Sequence, residues 1–430
     1  MNRRRFLKAS LGAAAATAAF GRFDLRALAA RCYVATPPSN SRLVVINLEG
    51  GFDALAMLRP TSGTAAALYS SRRPILAPLT TPIPLAGVGG QGLHPSLAVI
   101  QSEFAAGKCA IVQKAGLPAP QLSHFESREV MARGRANTSN PDRRGWIGRL
   151  ADLNFTSNLA AVGVGVPANR ILESTAVRPV TITSVANFVS YIFQSTSETN
   201  QRRAVLDAMV AQGSSTDARI VAAARPRALA APALVSQVAA AANVVPAGNY
   251  GDPAAENLAR SLPEILKLIA TPAIGSRVFY TATGDFDTHG YEESTTQGSS
   301  KPTLTARLNA VMQALGAFIA DLKSPAVNKW NETTIVLYTE FGRRISENQT
   351  RGTDHGHGAH MFVLGGGVLG GLKGQAVSDT DLANTNENLP VTIDYRSVWK
   401  KVIDDWLGLN GAAVFDDFTP LPGEPAFTLF

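Results

Sequence analysis

The residues of this 430-residue chain best suited to chemistry are its six histidines, and five of them stand in short polar motifs. One follows a serine, in Ser123-His124. Another closes Asp287-Thr288-His289-Gly290. Three more crowd into Asp354-His355-Gly356-His357-Gly358-Ala359-His360. Two further carboxylates, Asp53 and Glu340, end runs of apolar residues. A mixed set of imidazoles and carboxylates suits one or two divalent ions, Zn or Mn first and Mg or Ca after them. Crowded imidazoles separated by small residues are what a metal or a polyanion relieves.

Each motif also has a plainer reading. Asp287 and His289 are two apart and share one side of an extended segment, or they bond to the backbone of a turn. Glu340 is a ligand or a surface partner of Arg343 or Arg344. Asp53, after Gly50-Gly51, binds a metal or caps a helix that starts at Ala54. Ser123 is a metal-activated nucleophile, or it caps a helix near Phe125 with Glu126 completing a capping box. His360 turns to the same site or packs structurally. His94, before Pro95, reads as structural. The glycines at 87, 89, 90 and 92 lack the strand-to-helix context of a phosphate-binding loop.

The elements that must position these residues are legible as apolar runs. Leu43–Leu48, Cys109–Gln113, Ala161–Val166, Val180–Thr183, Arg277–Thr281, Thr334–Tyr338 and Met361–Leu364 read as buried strands. Leu304–Leu322 and Tyr395–Leu407 read as helices, the first with an apolar stripe at Leu308, Val311, Met312, Leu315 and Phe318. Alternation of the two kinds predicts an α/β three-layer sandwich with a mainly parallel central sheet. In such a sheet the loops after the carboxyl ends of the strands converge on one crevice. The stretch of about 185–272 is Ala-rich and reads as a helical insertion, placed either as a lid or apart from the site.

Residues 2–8, Asn-Arg-Arg-Arg-Phe-Leu-Lys, fit the twin-arginine export pattern. A short apolar run and Ala27-Leu28-Ala29 behind them complete a cleavable signal over 1–30. The expected location is therefore periplasmic or secreted. That segment carries six basic residues (Arg3, Arg4, Arg5, Lys8, Arg22, Arg26) against Asp24, so +5 of the chain's +7 belongs to it and about +2 remains. The remainder offers no case for nucleic-acid binding, and no later run is long and apolar enough to span a membrane. Cys32 and Cys109 could pair outside the cytoplasm, though Cys109 reads as a buried strand residue.

Taken in order, Asn-Leu-Glu-Gly-Gly-Phe-Asp (47–53), Ser123-His124-Phe125, Gly145-Trp146-Ile147-Gly148-Arg149, Asp287-Thr288-His289-Gly290, Glu340-Phe341-Gly342-Arg343-Arg344 and Thr353-Asp354-His355-Gly356-His357-Gly358 resemble the domain of unknown function 1501 family. The resemblance covers roughly 42–410 and leaves 411–430 as a C-terminal tail. It implies an alkaline-phosphatase-like fold with metals on the strand ends. Asp53, Asp287, His289 and His357 would then be metal ligands, Glu340 would serve a second metal, and Ser123 would stand at the nucleophile position. Asp354 and His355 match the smaller family's own motif. Phe341 stands where the second metal's histidine would be, and the sulfatase Cys-x-Pro-x-Arg signature is absent.

The implied activity is metal-dependent hydrolysis of a small or polymeric phosphate or related ester, with His124, Arg343 or Arg344 facing the negative transition state. The alternative is a catalytically degenerate exported partner of another exported protein, such as one of the domain of unknown function 1800 family.

Overall fold

The computed structural model describes residues 40–137, 139–167, 169–192, 238–293 and 302–430. The expected signal, Cys32 and residues 193–237 of the helical segment lie outside these. All seven expected strands form, as β1 (Arg42–Leu48), β2 (Cys109–Gly116), β3 (Ala161–Val164), β4 (Val180–Ile182), β5 (Val278–Thr283), β6 (Thr333–Tyr338) and β7 (Ala359–Gly365). Two short ones, β8 (Gly371–Lys373) and β9 (Ile393–Asp394), both pair with β2 at the edge. The sheet runs β8-β2-β7-β6-β1-β5-β3-β4. It is parallel except for β7, which is antiparallel to both β2 and β6.

The pleat sorts each apolar run onto two faces. From β1, Val44, Ile46 and Leu48 point into one core, whereas Leu43 and Val45 point into the other. The first core is covered by helices α2 (Ala98–Ala105), α5 (Asn257–Ile269) and α6 (Leu304–Lys323). The second is covered by α3 (His124–Arg133), α4 (Trp146–Asn154) and α7 (Tyr395–Lys401). Two covered faces explain why the strands are apolar throughout. The predicted stripe of α6 is buried in full, and the hydroxyl of Thr303 caps that helix by accepting from the Ala306 amide.

Two boundaries differ from expectation. Within 185–272, Asn257–Ile269 is a core helix on the sheet rather than part of an insertion. Residues 411–430 are docked, not trailing: the Leu369 amide donates to the Leu429 carbonyl, and Phe430 stacks on Trp406 at 5.4 Å. Among the described residues no helix is long and apolar enough to cross a membrane. Cys109 is buried on β2.

Candidate metal centre

Three neighbouring parallel strands, β6, β1 and β5, end level with one another: Leu48 pairs with Thr283, and Asn47 with Tyr338. Their exit loops therefore leave side by side. Gly50 and Gly51 (φ 124° and 68°) let the β1 loop press on both neighbours. A Cβ on Gly50 would lie 2.4 Å from the Asp287 amide, and one on Gly51 would lie 2.5 Å from the Phe341 ring. The loop after β2 brings in Ser123 and His124 at the start of α3. The antiparallel β7 runs the other way, so its entry loop delivers His355 to the same edge.

Asp287 is the centre. Its Oδ1 lies 3.1 Å from Nε2 of both His289 and His355, 3.4 Å from Nε2 of His124, and 2.8 Å from Nη2 of Arg343. The Nε2 atoms of His289 and His355 are themselves 2.9 Å apart. Burial alone would raise the Asp287 carboxyl, but its contacts with His355 and Arg343 outweigh it and hold it well below the usual carboxylate range.

The outer partners fix the proton on each ring. His124 Nδ1 faces Glu340 Oε1 at 2.8 Å, His289 Nδ1 faces Asp354 Oδ1 at 3.2 Å, and His355 Nδ1 faces the Leu122 carbonyl at 2.8 Å. Each of those oxygens can only accept, so each Nδ1 carries the hydrogen. Three Nε2 lone pairs then converge on one carboxylate oxygen. Among the described residues, the buried Nε2 of His124 has no hydrogen-bond partner. Such lone-pair crowding is unfavourable without a proton or a cation between the groups. Ligands spaced around a tetrahedral Zn with bonds of ~2.0–2.1 Å stand about 3.3 Å apart, the spacing seen here. Among the described residues, His124, Asp287 and His355 form the one group of three such side chains close enough to share an ion, and His289 adjoins it.

Glu340 and Asp354 are thus behind the cluster rather than in it. Glu340 is buried and also accepts from the Gly50 amide at 3.0 Å. Burial pushes its carboxyl up, but the hydrogen bond from His124 prevails and lowers it. Asp354 is held by Asn348 Nδ2 at 2.9 Å. This is the outer support that orients metal-binding imidazoles.

Asp53 belongs elsewhere: it is fully buried, pairs with Arg73 and caps helix α1 (Ala54–Met57) by accepting from Ala56. Arg73, twenty residues on, gave no local signal. A second hidden acid, Glu292, lies against the same pair. Its burial, with Asp53 nearby, pushes it far up. His357 is not in the cluster either, because the chain bends there and breaks the alternation. Burial and Arg344 lower it. His360 and His94 are structural, with His94 Nδ1 accepting from the Ser96 amide.

Arg343 is a clamp. Besides Asp287 it donates to the carbonyls of Gly50, Gly51, Phe286 and Thr353, tying three loops together. Ser123 takes the N-cap position of α3, yet its side chain makes no capping hydrogen bond. The residue before it, Leu122, has φ 57°, and Asp285 has φ 67°. Non-glycine residues held in the left-handed region often mark functional loops. Phe341 packs against both His124 and His355, with ring centroids 4.9 and 4.6 Å away.

The molecule is an α/β sandwich carrying a three-histidine, one-aspartate cluster on the carboxyl edge of its sheet. It belongs to the family described as protein of unknown function (DUF1501), whose model matches residues 105–417. No curated protein sequence matches the chain. Among solved structures it is similar to a protein in the alkaline phosphatase superfamily from Vibrio parahaemolyticus, at TM-score 0.34 and 10% identity over 92% of this chain and 74% of that one. It is also similar to the lipoteichoic acid synthase LtaP from Listeria monocytogenes, at TM-score 0.34 and 10% identity over 86% and 73%.

Proposed function

We propose that the protein is an exported, metal-dependent hydrolase of phosphate or related esters, with His124, Asp287, His289 and His355 holding one divalent ion. The supporting observation is the convergence of three Nε2 lone pairs on Asp287 Oδ1. A bound ion would polarise an ester oxygen and lower the pKa of an attacking hydroxyl. Ser123 supplies that hydroxyl, which the helix does not engage. The amides at the start of the ten-residue α3, which the Ser123 side chain does not cap, favour the negative ester oxygens. Arg343 keeps Asp287 ionised and the loops in register, a positioning role.

The ion is Zn or Mn, in keeping with the imidazole-rich set. The alkaline-phosphatase-like assignment rests on the motif resemblance. Export rests on residues 2–8: replacing Arg3 and Arg4 by lysine should keep the protein in the cytoplasm, and periplasmic accumulation of that variant would contradict it.

Phe341 favours a second reading. Its phenyl ring fills one side of the cluster, as expected of a reduced site retained to bind another exported protein, the domain of unknown function 1800 family included. The discriminating experiment is an ester panel of phosphate monoesters, phosphodiesters and sulfate esters, run before and after chelation and with Zn or Mn restored. Turnover that vanishes on chelation and returns with metal supports the hydrolase. A metal-loaded protein that turns over none of them supports the binding partner.

A further inference from the structure

Behind Glu340, away from the histidines, a cavity of about 240 Å³ opens between the strand ends and α3. Its buried floor is Asn47, Tyr280 and Tyr338, and Glu340 forms the wall shared with the metal cluster. Opposite, Arg128 Nη1 donates to Glu49 Oε2 at 2.9 Å. At the rim stands Phe125, 85% exposed, with the Arg128 guanidinium 5.9 Å from its ring. Asn47 is only 4% exposed, and its Oδ1 has no hydrogen-bond partner among the described residues. A buried amide oxygen without a donor is costly, so the cavity lacks a donor that a ligand would bring.

The lining selects the ligand. Glu49, Glu129 and Glu340 repel an anion. Arg128 and Arg170 disfavour an organic cation. An apolar group would leave Asn47 Oδ1 unpaired. A neutral group bearing several hydroxyls meets every requirement, since each hydroxyl both donates to a carboxylate or amide oxygen and accepts from Arg128. The volume lies below the ~300 Å³ at which pockets for drug-sized ligands begin, which leaves room for a single ring or a short chain. Phe125 offers an apolar face to the C–H side of such a ring.

We infer that this cavity binds a polyhydroxylated group, a single sugar ring or a short polyol, as the organic part of the substrate. Its role as a substrate subsite rests on the hydrolase reading; the binding itself does not. Glu340 then serves both sites, orienting His124 on one side and accepting from a hydroxyl on the other.

Saturation-transfer NMR on the full mature protein, with methyl glucoside and glycerol as separate probes, tests this. Transfer to at least one probe is expected, and which one responds identifies ring or chain. Phe125→Ala, at an exposed position that folding does not need, should weaken binding about 10-fold, the order of one aromatic contact. Asn47→Leu, checked for folding by circular dichroism, should abolish it. No transfer to either probe, or equal transfer in wild type and Phe125→Ala, would overturn the inference. Metal content measured on the same samples separates the two proposals: metal without polyol binding sinks the cavity alone, and polyol binding without metal sinks the hydrolase alone.

Discussion

At the residue scale, the cluster divides labour between groups that converge on Asp287 Oδ1 and groups that hold them. Ser123→Ala should cut ester turnover by about 100-fold or more, as loss of a nucleophile does, with metal content unchanged. Turnover within a few-fold of wild type would transfer the attack to water. Glu340→Gln keeps the size of the side chain but weakens the acceptor behind His124 Nδ1. It should weaken metal affinity ~10–100-fold, the usual cost of losing an outer-shell partner, as read by competition with a chelator. An unchanged affinity would remove Glu340 from the site. The sequence displayed most of these residues but not their ranks. The structure brings Asp287 and His289 of one motif together with His355 of another. Asp53 and His357 stand apart, because a capping ion pair and a bend override the local pattern.

At the element scale, the site depends on three strand-end loops packed backbone to backbone. Gly50 and Gly63 both have positive φ, but a Cβ on Gly63 meets open space whereas one on Gly50 meets the backbone of Phe286 and Asp287. Gly63→Ala should cost only about 1 kcal/mol, the price of the left-handed conformation alone. Gly50→Ala should cost several times that in urea denaturation and should also displace Asp287. Equal costs would show that the loops give way easily.

The strands themselves were readable because fully covered faces demand apolar runs. The direction of β7 was not, since an apolar run looks the same parallel or antiparallel. That reversal brings His355 to the carboxyl edge of the sheet. The role of Asn257–Ile269 was hidden by the Ala-rich stretch before it. The docked C-terminus gave no signal in its Pro- and Gly-containing sequence.

At the scale of the whole molecule, folding buries a histidine that must stay neutral. Burial lowers His360 from its ordinary 6.5 to about 4. The unfolded chain therefore takes up a proton before the folded one does. The stability this contributes is complete above pH 6.5 and is lost as pH falls toward 4, amounting to ~3 kcal/mol at most. Denaturation midpoints should fall across that window, and His360→Gln should flatten the fall; an equally steep fall in the variant would assign it to other groups.

The central claim is that the four converging side chains hold a metal. Elemental mass spectrometry of the mature protein, beside Asp287→Ala and His357→Ala, tests it most directly. About one ion per chain is expected in the wild type and in His357→Ala, and none in Asp287→Ala. Wild-type protein that stays empty after reconstitution with Zn and Mn, or an Asp287→Ala variant that keeps its ion, would contradict the account.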